Sequence, residues 1–262
     1  MATYNFSDLN TRYEELTGLV RCDCTLAMEL VGGQPADEPG VRVFVQHHLH
    51  LAGEDAESAV RRIMKEELGE RDVAPQEGEL AEKQVYGVNA LRRSSLGPWL
   101  ANHMVKACCK QAASRLDIFR QLRGTKGDFA ETGRVSACGP SLVEPDHPER
   151  IYLLSSDGTA QPETYWREFM GRVSTPAGMK SIIHHSECVA PGSRFFWEMR
   201  FISKRVSEND VADTLAMMMV VGIGSARSLE RGKFRIDHAD ITLTDKQPAR
   251  KLAPVSKNNV PD

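Results

Sequence analysis

The sequence contains no long apolar stretch. Its longest nearly uninterrupted run, LAMMMVVGIG from Leu215 to Gly224, is far shorter than the roughly 18 residues that a membrane-spanning helix needs. The first ten residues, MATYNFSDLN, lack the basic flank and the apolar core of a secretory leader. We therefore expect a cytoplasmic protein without a membrane partner.

Metal-binding spacings are also missing. None of the six cysteines belongs to a Cys-x-x-Cys pair; they are Cys22, Cys24, Cys108, Cys109, Cys138 and Cys188. Reduced thiols are the expected state, and a zinc site built from Cys22, Cys24 and distant histidines is the alternative. A ligand pattern for a metal-dependent nuclease is absent from the acidic pairs Glu54-Asp55, Glu66-Glu67 and Asp237 with Asp240. We expect neither a metal nor a cofactor.

An excess of positive charge is lacking as well. The 262 residues carry 33 Lys and Arg against 36 Asp and Glu, a net charge of −3. A field of that sign repels phosphate, so any nucleic acid must bind a local basic surface. With 41% hydrophobic and 26% charged residues, the chain can bury one large core or two modest ones.

The first hundred residues predict paired strands, a helix and an insertion. Val20 to Leu30 alternates with period two, as a half-buried strand does, and Val41 to Leu51 predicts a second strand. Glu54 to Leu68 has acids first and bases later, which suits a helix. The polar, turn-rich segment 71–96 predicts an irregular insertion.

The rest of the chain predicts two further helices and two strands. Pro98 opens a helix to about Arg120, with an apolar stripe that includes Val105, Cys108, Cys109, Ala112 and Ala113. Arg194 to Ile202 predicts a strand, followed by a helix from Glu208 to Val221 with Ser207 as its N-cap. Lys233 to Leu243 predicts a last strand. This order predicts an α+β fold with helices on one face of an antiparallel sheet.

A glycine-rich segment carries the clearest functional signal. GIGSARSLERGKFRI, from Gly222 to Ile236, places Arg227, Arg231 and Lys233 beside three glycines before the last strand. Backbone N–H groups of such a loop, with adjacent cations, can bind a sugar-phosphate backbone. The long helix adds Lys106 and Lys110, one turn apart. The alternative is a simple helix-to-strand turn with solvated bases.

Three segments together resemble the RAMP superfamily, the RRM-like proteins of CRISPR effector complexes. ECVAPGSRFF from Glu187 to Phe196 matches its approach to a strand, Gly222-Ile223-Gly224 through Gly232 matches its glycine loop, and LANHMVKACCK from Leu100 to Lys110 resembles its helix start. Two departures stand in the loop, where Glu230 replaces a glycine and Arg231 a hydrophobic residue.

The resemblance implies a ferredoxin-like or RRM-like domain over residues 1–243, an inserted lobe at about 32–96 and a flexible tail at 244–262. It implies a guide-RNA-binding backbone subunit that assembles with adjacent copies and other effector subunits and supports recognition of a DNA or RNA target. The expected RNA-binding residues are Asn102, His103, Lys106, Lys110, Gly222, Gly224, Ser225, Arg227, Ser228, Arg231 and Gly232.

Two other functions stay open. A guide-processing endoribonuclease of the same superfamily would use His47, His48 or His50 without metal, although strand alternation would place His47 and His48 on opposite faces. A phage or mobile-element structural protein would assemble through protein contacts alone. His184 and His185 are candidates for RNA contact, and Asp37 and Asp55 are assigned no catalytic role because the sequence around them does not match that of cleaving relatives. Our expectation is that the protein is not an enzyme.

Overall fold

A computed structural model describes residues 16–36, 38–68, 85–116, 130, 132–139, 143–175, 178–203 and 206–243. The helices are α1 (Glu38–His48), α2 (Gly53–Arg62), α3 (Asn102–Leu116) and α4 (Glu208–Val221), and a π-helical turn, Ile63–Glu67, extends α2. The strands are β1 (Thr17–Leu26), β2 (Leu30–Val31), β3 (Gln34–Pro35), β4 (Val85–Ala90), β5 (Arg92–Ser94), β6 (Gly97–Ala101), β7 (Arg134–Ala137), β8 (Arg150–Tyr152), β9 (Thr164–Thr175), β10 (Gly178–Val189), β11 (Arg194–Ile202) and β12 (Phe234–Thr242).

The main sheet is antiparallel, with strand order β12-β1-β11-β7. Side chains of β1 alternate, so Val20, Cys22, Cys24 and Leu26 are buried in the main core together with the apolar sides of α3 and α4. The predicted α+β fold, with helices on one face of an antiparallel sheet, is confirmed. The first strand ends at Leu26 and not at Leu30.

Helix α1 replaces a predicted strand. The prediction of a strand over Val41 to Leu51 is wrong, because Val41 and Val45 are buried one helical turn apart while Val43 is 55% exposed. A strand would have placed all three on one face. Arg42 donates to Glu38 one turn earlier at 2.8 Å, an i,i+4 pair that adds to helix stability.

The second predicted helix and a second core lie next to α1. Residues 53–67 are helical, as predicted, first as α2 and then as the π-helical turn. Together with α1 they enclose a hydrophobic cluster that includes Val41, Val45, Val60, Ile63 and Leu68. We call α1, α2 and the π-helical turn the helical lobe.

The expected irregular insertion contains regular strands. Residues 69–84 lie outside the described part of the chain, but β4 and β5 follow them. Strand β4 pairs in parallel with β10, which also pairs with β9 as a hairpin of two twelve-residue strands. The prediction of irregular structure over 85–96 is therefore wrong. Strand β4 is fixed by tertiary pairing with β10, which leaves no local sequence signal, and β5 pairs with β6.

Strand β6 takes the place of the predicted first turn of α3. Pro98 is buried in β6 opposite Arg93, and its carbonyl accepts a hydrogen bond from Leu153 at 2.9 Å. Helix α3 starts at Asn102, and the predicted stripe of Val105, Cys108, Cys109, Ala112 and Ala113 is buried, as expected.

The last helix and strand follow the sequence closely. Helix α4 begins with the predicted cap: the Asp210 backbone N–H donates to the Ser207 hydroxyl at 3.1 Å, and the Ser207 N–H donates to the Asp210 carboxylate at 3.0 Å. Met218 is fully buried on this helix, and β12 confirms the final strand. The tail at 244–262 lies outside the described residues. None of the described helices has the length and apolar character to cross a membrane.

Candidate nucleic-acid interface

The glycine loop, Gly222 to Lys233, joins α4 to β12 and is held by backbone hydrogen bonds, one within the loop and others to the segment around β2. The Ile223 N–H donates to the Gly232 carbonyl at 2.8 Å, the Gly232 N–H to the Glu29 carbonyl at 2.8 Å, and the Ser225 N–H to the Val31 carbonyl at 3.3 Å. The Gly222 N–H donates to the Met218 carbonyl at 2.9 Å. The amides of Gly222, Ser225 and Gly232 are thus bonded inside the protein. These three amides therefore cannot bind an anion without losing the bonds that hold the loop.

Glycine is required where the loop crosses itself. Gly232 has φ +66°, and a Cβ there would lie 1.8 Å from the Ile223 carbonyl oxygen. Glu230, which replaces a glycine of the RAMP pattern, has φ +62°, a left-handed conformation that costs a side-chain-bearing residue free energy. The loop therefore keeps a glycine-like path at Glu230 despite the substitution.

A buried carboxylate, that of Glu29, holds the loop through Arg231. Its side chain is 4% exposed and lies 3.1 Å from Arg231 Nε and 3.0 Å from Arg167 Nη1, while the Tyr165 hydroxyl donates to it. Burial and the Glu29 carboxylate raise the pKa of Tyr165 to about 12. Arg231, a predicted RNA-binding residue, thus balances a buried charge. Sequence reasoning missed Glu29, because its partners are more than 130 positions away.

Arg227 connects the loop to α3. Its Nη1 donates to the Gln111 side-chain oxygen at 2.7 Å. The Cys108 thiol, one turn before Gln111, lies within the electrostatic influence of Arg227, Lys233 and Arg115, although burial raises its pKa to about 12. Of these cations, Lys233 is already paired, because its Nζ lies 3.5 Å from the Glu230 carboxylate. Because Gln111 is neutral, the charge of Arg227 is not cancelled by its hydrogen-bond partner.

The two predicted lysines lie on a different flank of α3. At 3.6 residues per turn, Lys106 stands about 140° around the helix from Gln111, and Lys110 about 100° from it. Lys110 is exposed and Lys106 half-buried. The structure thus brings Arg227 to α3, but it separates Arg227 from Lys106 by the exposed face of the helix.

The start of α3 is tied to neighbouring strands. Asn102 donates from its side chain to the Val135 carbonyl at 3.2 Å and from its backbone to Glu149 at 3.0 Å. His103 is exposed, and partial burial of its ring, together with the charge of Arg92, lowers its pKa. Of this predicted pair, His103 is the residue that faces solvent. Ser228 lies in the 3₁₀ turn Arg227–Leu229.

A cavity of about 230 Å³, which we call the Trp99 cavity, lies beside the loop. Gly224 and Ser225 of the loop form part of its wall, and His103, Gln34, Arg92 and Trp99 line the rest with apolar side chains of α1 and α3. Two predicted RNA-binding segments, the loop and the start of α3, therefore meet at this cavity. The sequence gives no sign of it, since its wall comes from five separate stretches.

Glu187, the first residue of the ECVAPG motif, is a buried structural contact. Its carboxylate accepts from the Leu91 backbone N–H at 3.0 Å and from Arg93 Nη2 at 2.7 Å. Its carbonyl accepts from the Gly32 N–H at 2.8 Å. Glu187 thus fixes the β9–β10 hairpin to β5.

The candidate histidines lie on separate elements of the fold. His47 and His48 are adjacent on α1, so the expectation that strand alternation separates them is wrong, and His50 follows with φ +54°. His184 and His185 lie on β10, where the His185 ring stacks on Trp166 at 5.0 Å between centroids.

Metal-type ligands are not clustered in the part of the chain that the structure describes, where no three His, Cys, Asp or Glu side chains converge. Asp37 lies outside the described residues, and Asp55 is exposed on α2. Of the six cysteines, Cys138 is half-buried and the others are buried.

Comparison with known proteins gives remote structural likenesses only. No protein-family model matches the chain, and no curated protein matches it. Among solved structures it is similar to a chain of the type III-B Cmr-beta complex bound to cognate target RNA, with a TM-score of 0.40 and 10% identity over 92% of this chain and 66% of that one. It is also similar to Cmr6 from Pyrococcus furiosus, with a TM-score of 0.33 and 10% identity over 84% of this chain and 98% of that one. The chain thus spans about two thirds of the length of the Cmr-beta chain.

Proposed function

We propose that this protein is an RNA-binding subunit of a CRISPR or CRISPR-derived effector ribonucleoprotein, assembled as adjacent copies along a guide RNA. The observation that carries the proposal is the hydrogen bond from Arg227 of the glycine loop to Gln111 of α3. The loop and the helix are two of the three segments on which the RAMP resemblance rests, and this hydrogen bond joins them.

Charge distinguishes the arginines of the loop. Arg231 lies against the buried Glu29 carboxylate and is 22% exposed, so its role is to hold the loop. Arg227 has a neutral partner and keeps its charge for a phosphate. A local surface of this kind binds RNA despite the net charge of −3, because counterion release acts at the contacted phosphates.

The guide RNA would follow the loop and cross the exposed face of α3. Lys110 lies on this face, and the half-buried Lys106 lies at its edge. Contacts of this type position a strand without reading its sequence. Recognition of a DNA or RNA target would then depend on base pairing by the guide, and adjacent copies and other effector subunits would complete the particle. No catalytic step is required of this chain.

Salt-dependent RNA binding tests the proposal. The slope of log affinity against log salt is negative, and each lost phosphate contact to a single strand should reduce its magnitude by about 0.7. We expect this loss for Arg227→Ala and for Lys106→Ala, measured by fluorescence anisotropy with labelled single-stranded RNA. Arg61→Ala is the matched control, because Arg61 is an exposed arginine of the helical lobe.

The outcomes separate the candidate functions. Equal slopes for the wild type and Arg227→Ala would contradict the placement of the RNA. Specific cleavage of repeat RNA in the presence of a chelator, lost on changing His47, His48 or His50, would favour the endoribonuclease. Defined oligomers that form without RNA and are unaffected by Arg227→Ala would favour a structural assembly protein.

A further inference from the structure

The Trp99 cavity has the size of one ring system. Its volume of about 230 Å³ is below the roughly 300–1,000 Å³ of pockets that hold drug-sized ligands. Gly33 and His103 are exposed members of its wall, so the cavity opens to solvent. A polynucleotide chain does not fit inside it, but a single flat group attached to a chain does.

Two buried donors of the cavity wall have no partner within the described part of the protein. They are the indole N–H of Trp99, a residue 5% exposed, and the side-chain amide nitrogen of Gln34, a residue 8% exposed. The Gln34 oxygen already accepts from Arg92 at 3.3 Å, which leaves its NH₂ group for a ligand. A buried donor without a partner is costly, and an acceptor bound in the cavity would remove that cost.

The remaining wall selects the chemistry of this acceptor. The Arg92 guanidinium lies 5.3 Å from the centre of the Trp99 ring and 3.4 Å from the Glu67 carboxylate, which balances its charge; none of the described residues that line the cavity is itself acidic. Phe44 and Met104 add apolar surface. Two donors without partners among the described residues, set beside apolar walls, fit a flat, uncharged heterocycle with ring-nitrogen or carbonyl acceptors.

We propose that the Trp99 cavity binds one nucleobase turned out of the RNA that lies on the glycine loop, with acceptors of the base bonded to Trp99 Nε1 and the Gln34 amide. The inference rests on the proposed function. The support for this inference is that the glycine loop and the cavity are adjacent. Gly224 and Ser225 belong to the loop and also line the cavity, and Arg227 follows two residues later. A strand whose phosphate contacts Arg227 therefore passes the mouth of the cavity.

Abasic scanning tests the proposal in the wild-type protein. Single abasic sites are placed along a labelled RNA, and the affinity of each RNA is measured. Loss of a base that stacks or bonds in a pocket weakens binding by about 5- to 100-fold. We expect such a loss at one position of the RNA, or at a regular interval if several copies bind, and little change elsewhere. RNA binding that is equally tolerant of abasic sites at every position would overturn the proposal.

Trp99→Phe assigns the effect to this cavity, because it removes the N–H and keeps most of the packing. In this variant the sensitive position should lose most of its abasic effect, while the salt slope stays as in the wild type. Trp166→Phe, the same change on β9 outside the cavity wall, should keep the wild-type pattern. An unchanged pattern in Trp99→Phe would place the base elsewhere and refute the proposal.

The two proposals fail differently in these measurements. If the wild type binds no RNA, the proposed function fails. If it binds RNA with a slope that depends on Arg227 but tolerates every abasic site, the function stands and the base-binding role of the cavity falls. Should Trp99→Phe not fold, 2-aminopurine fluorescence in the wild type replaces it: a shift confined to the sensitive position supports the proposal, and a uniform response contradicts it.

Discussion

Replacing Arg231 by alanine should destabilise the fold more than replacing Arg227, although both belong to the same loop. Arg231 lies 3.1 Å from Glu29, whose side chain is 4% exposed. Removing one partner of a buried ion pair costs roughly 3–5 kcal/mol, because the other charge stays buried. Arg167 and Tyr165 remain on Glu29, so we expect a loss of about 2–3 kcal/mol in the free energy of unfolding.

The comparison variant removes a neutral contact. Arg227→Ala deletes a half-buried hydrogen bond to Gln111, which contributes about 0.5–1.5 kcal/mol. Arg231→Ala should therefore be the less stable variant, by at least about 0.5 kcal/mol. For RNA binding the order is reversed, because Arg227→Ala should have the larger effect on the salt slope.

Urea unfolding followed by tryptophan fluorescence measures the difference, with the fully buried Trp197 as a reporter of the core. A double variant, Glu29→Gln with Arg231→Ala, should recover part of the loss, because no full carboxylate charge then stays underpaired. Equal losses for Arg227→Ala and Arg231→Ala, or a double variant that loses the full sum of its single changes, would refute the assignment of Arg231 to Glu29.

Three further predictions concern the loop, its anchor and the last helix. Glu230→Gly should raise stability by about 0.5–1 kcal/mol, because it relieves a left-handed backbone that now carries a side chain. Ser207→Ala should lower stability by about 0.5–2 kcal/mol through loss of the cap, with the exposed Asn209→Ala as control. Tyr165 should ionise near pH 12 by ultraviolet absorbance; since the unfolded chain loses this proton near pH 10, stability should fall as pH rises between these values, and Glu29→Gln should shift the titration lower.

Each of these has a contrary result. A destabilised Glu230→Gly variant would show that the side chain, and not the backbone, matters there. Equal unfolding midpoints for Ser207→Ala and Asn209→Ala would contradict the cap. A Tyr165 titration that Glu29→Gln leaves unchanged would show that the carboxylate does not act on the phenol.

Local periodicity predicted three of the four described strands of the main sheet, β1, β11 and β12, and the two helices packed on it; it did not predict β7. Alternation in β1 and β11 and the stripe of α3 are visible in the sequence, because each faces a single core. Val41 to Leu51 satisfies both periods, so its pattern alone does not decide; the exposed Val43 shows that the helical period prevails. The parallel pairing of β4 with β10 depends on a partner nearly a hundred positions away, which no local pattern reports.

The candidate site was predicted in its parts and not in its arrangement. The glycine loop and α3 were visible from residue type, but the internal use of Arg231 by Glu29 depends on a contact 202 positions apart in sequence. The Trp99 cavity was not predicted for the same reason, since its wall comes from separate segments of strand, turn and helix that have no distinguishing sequence pattern.

Two consecutive arginines of β5 contact different parts of the protein. Arg92 reaches Trp99 and Gln34, while the next residue, Arg93, reaches Glu187 and Thr164 of the hairpin. Because Arg92 and Arg93 are consecutive, a substitution that frees the hairpin from Arg93 is made directly next to the wall of the Trp99 cavity. A change meant for the cavity alone is therefore better placed at His103, which lines the cavity from α3, than in β5.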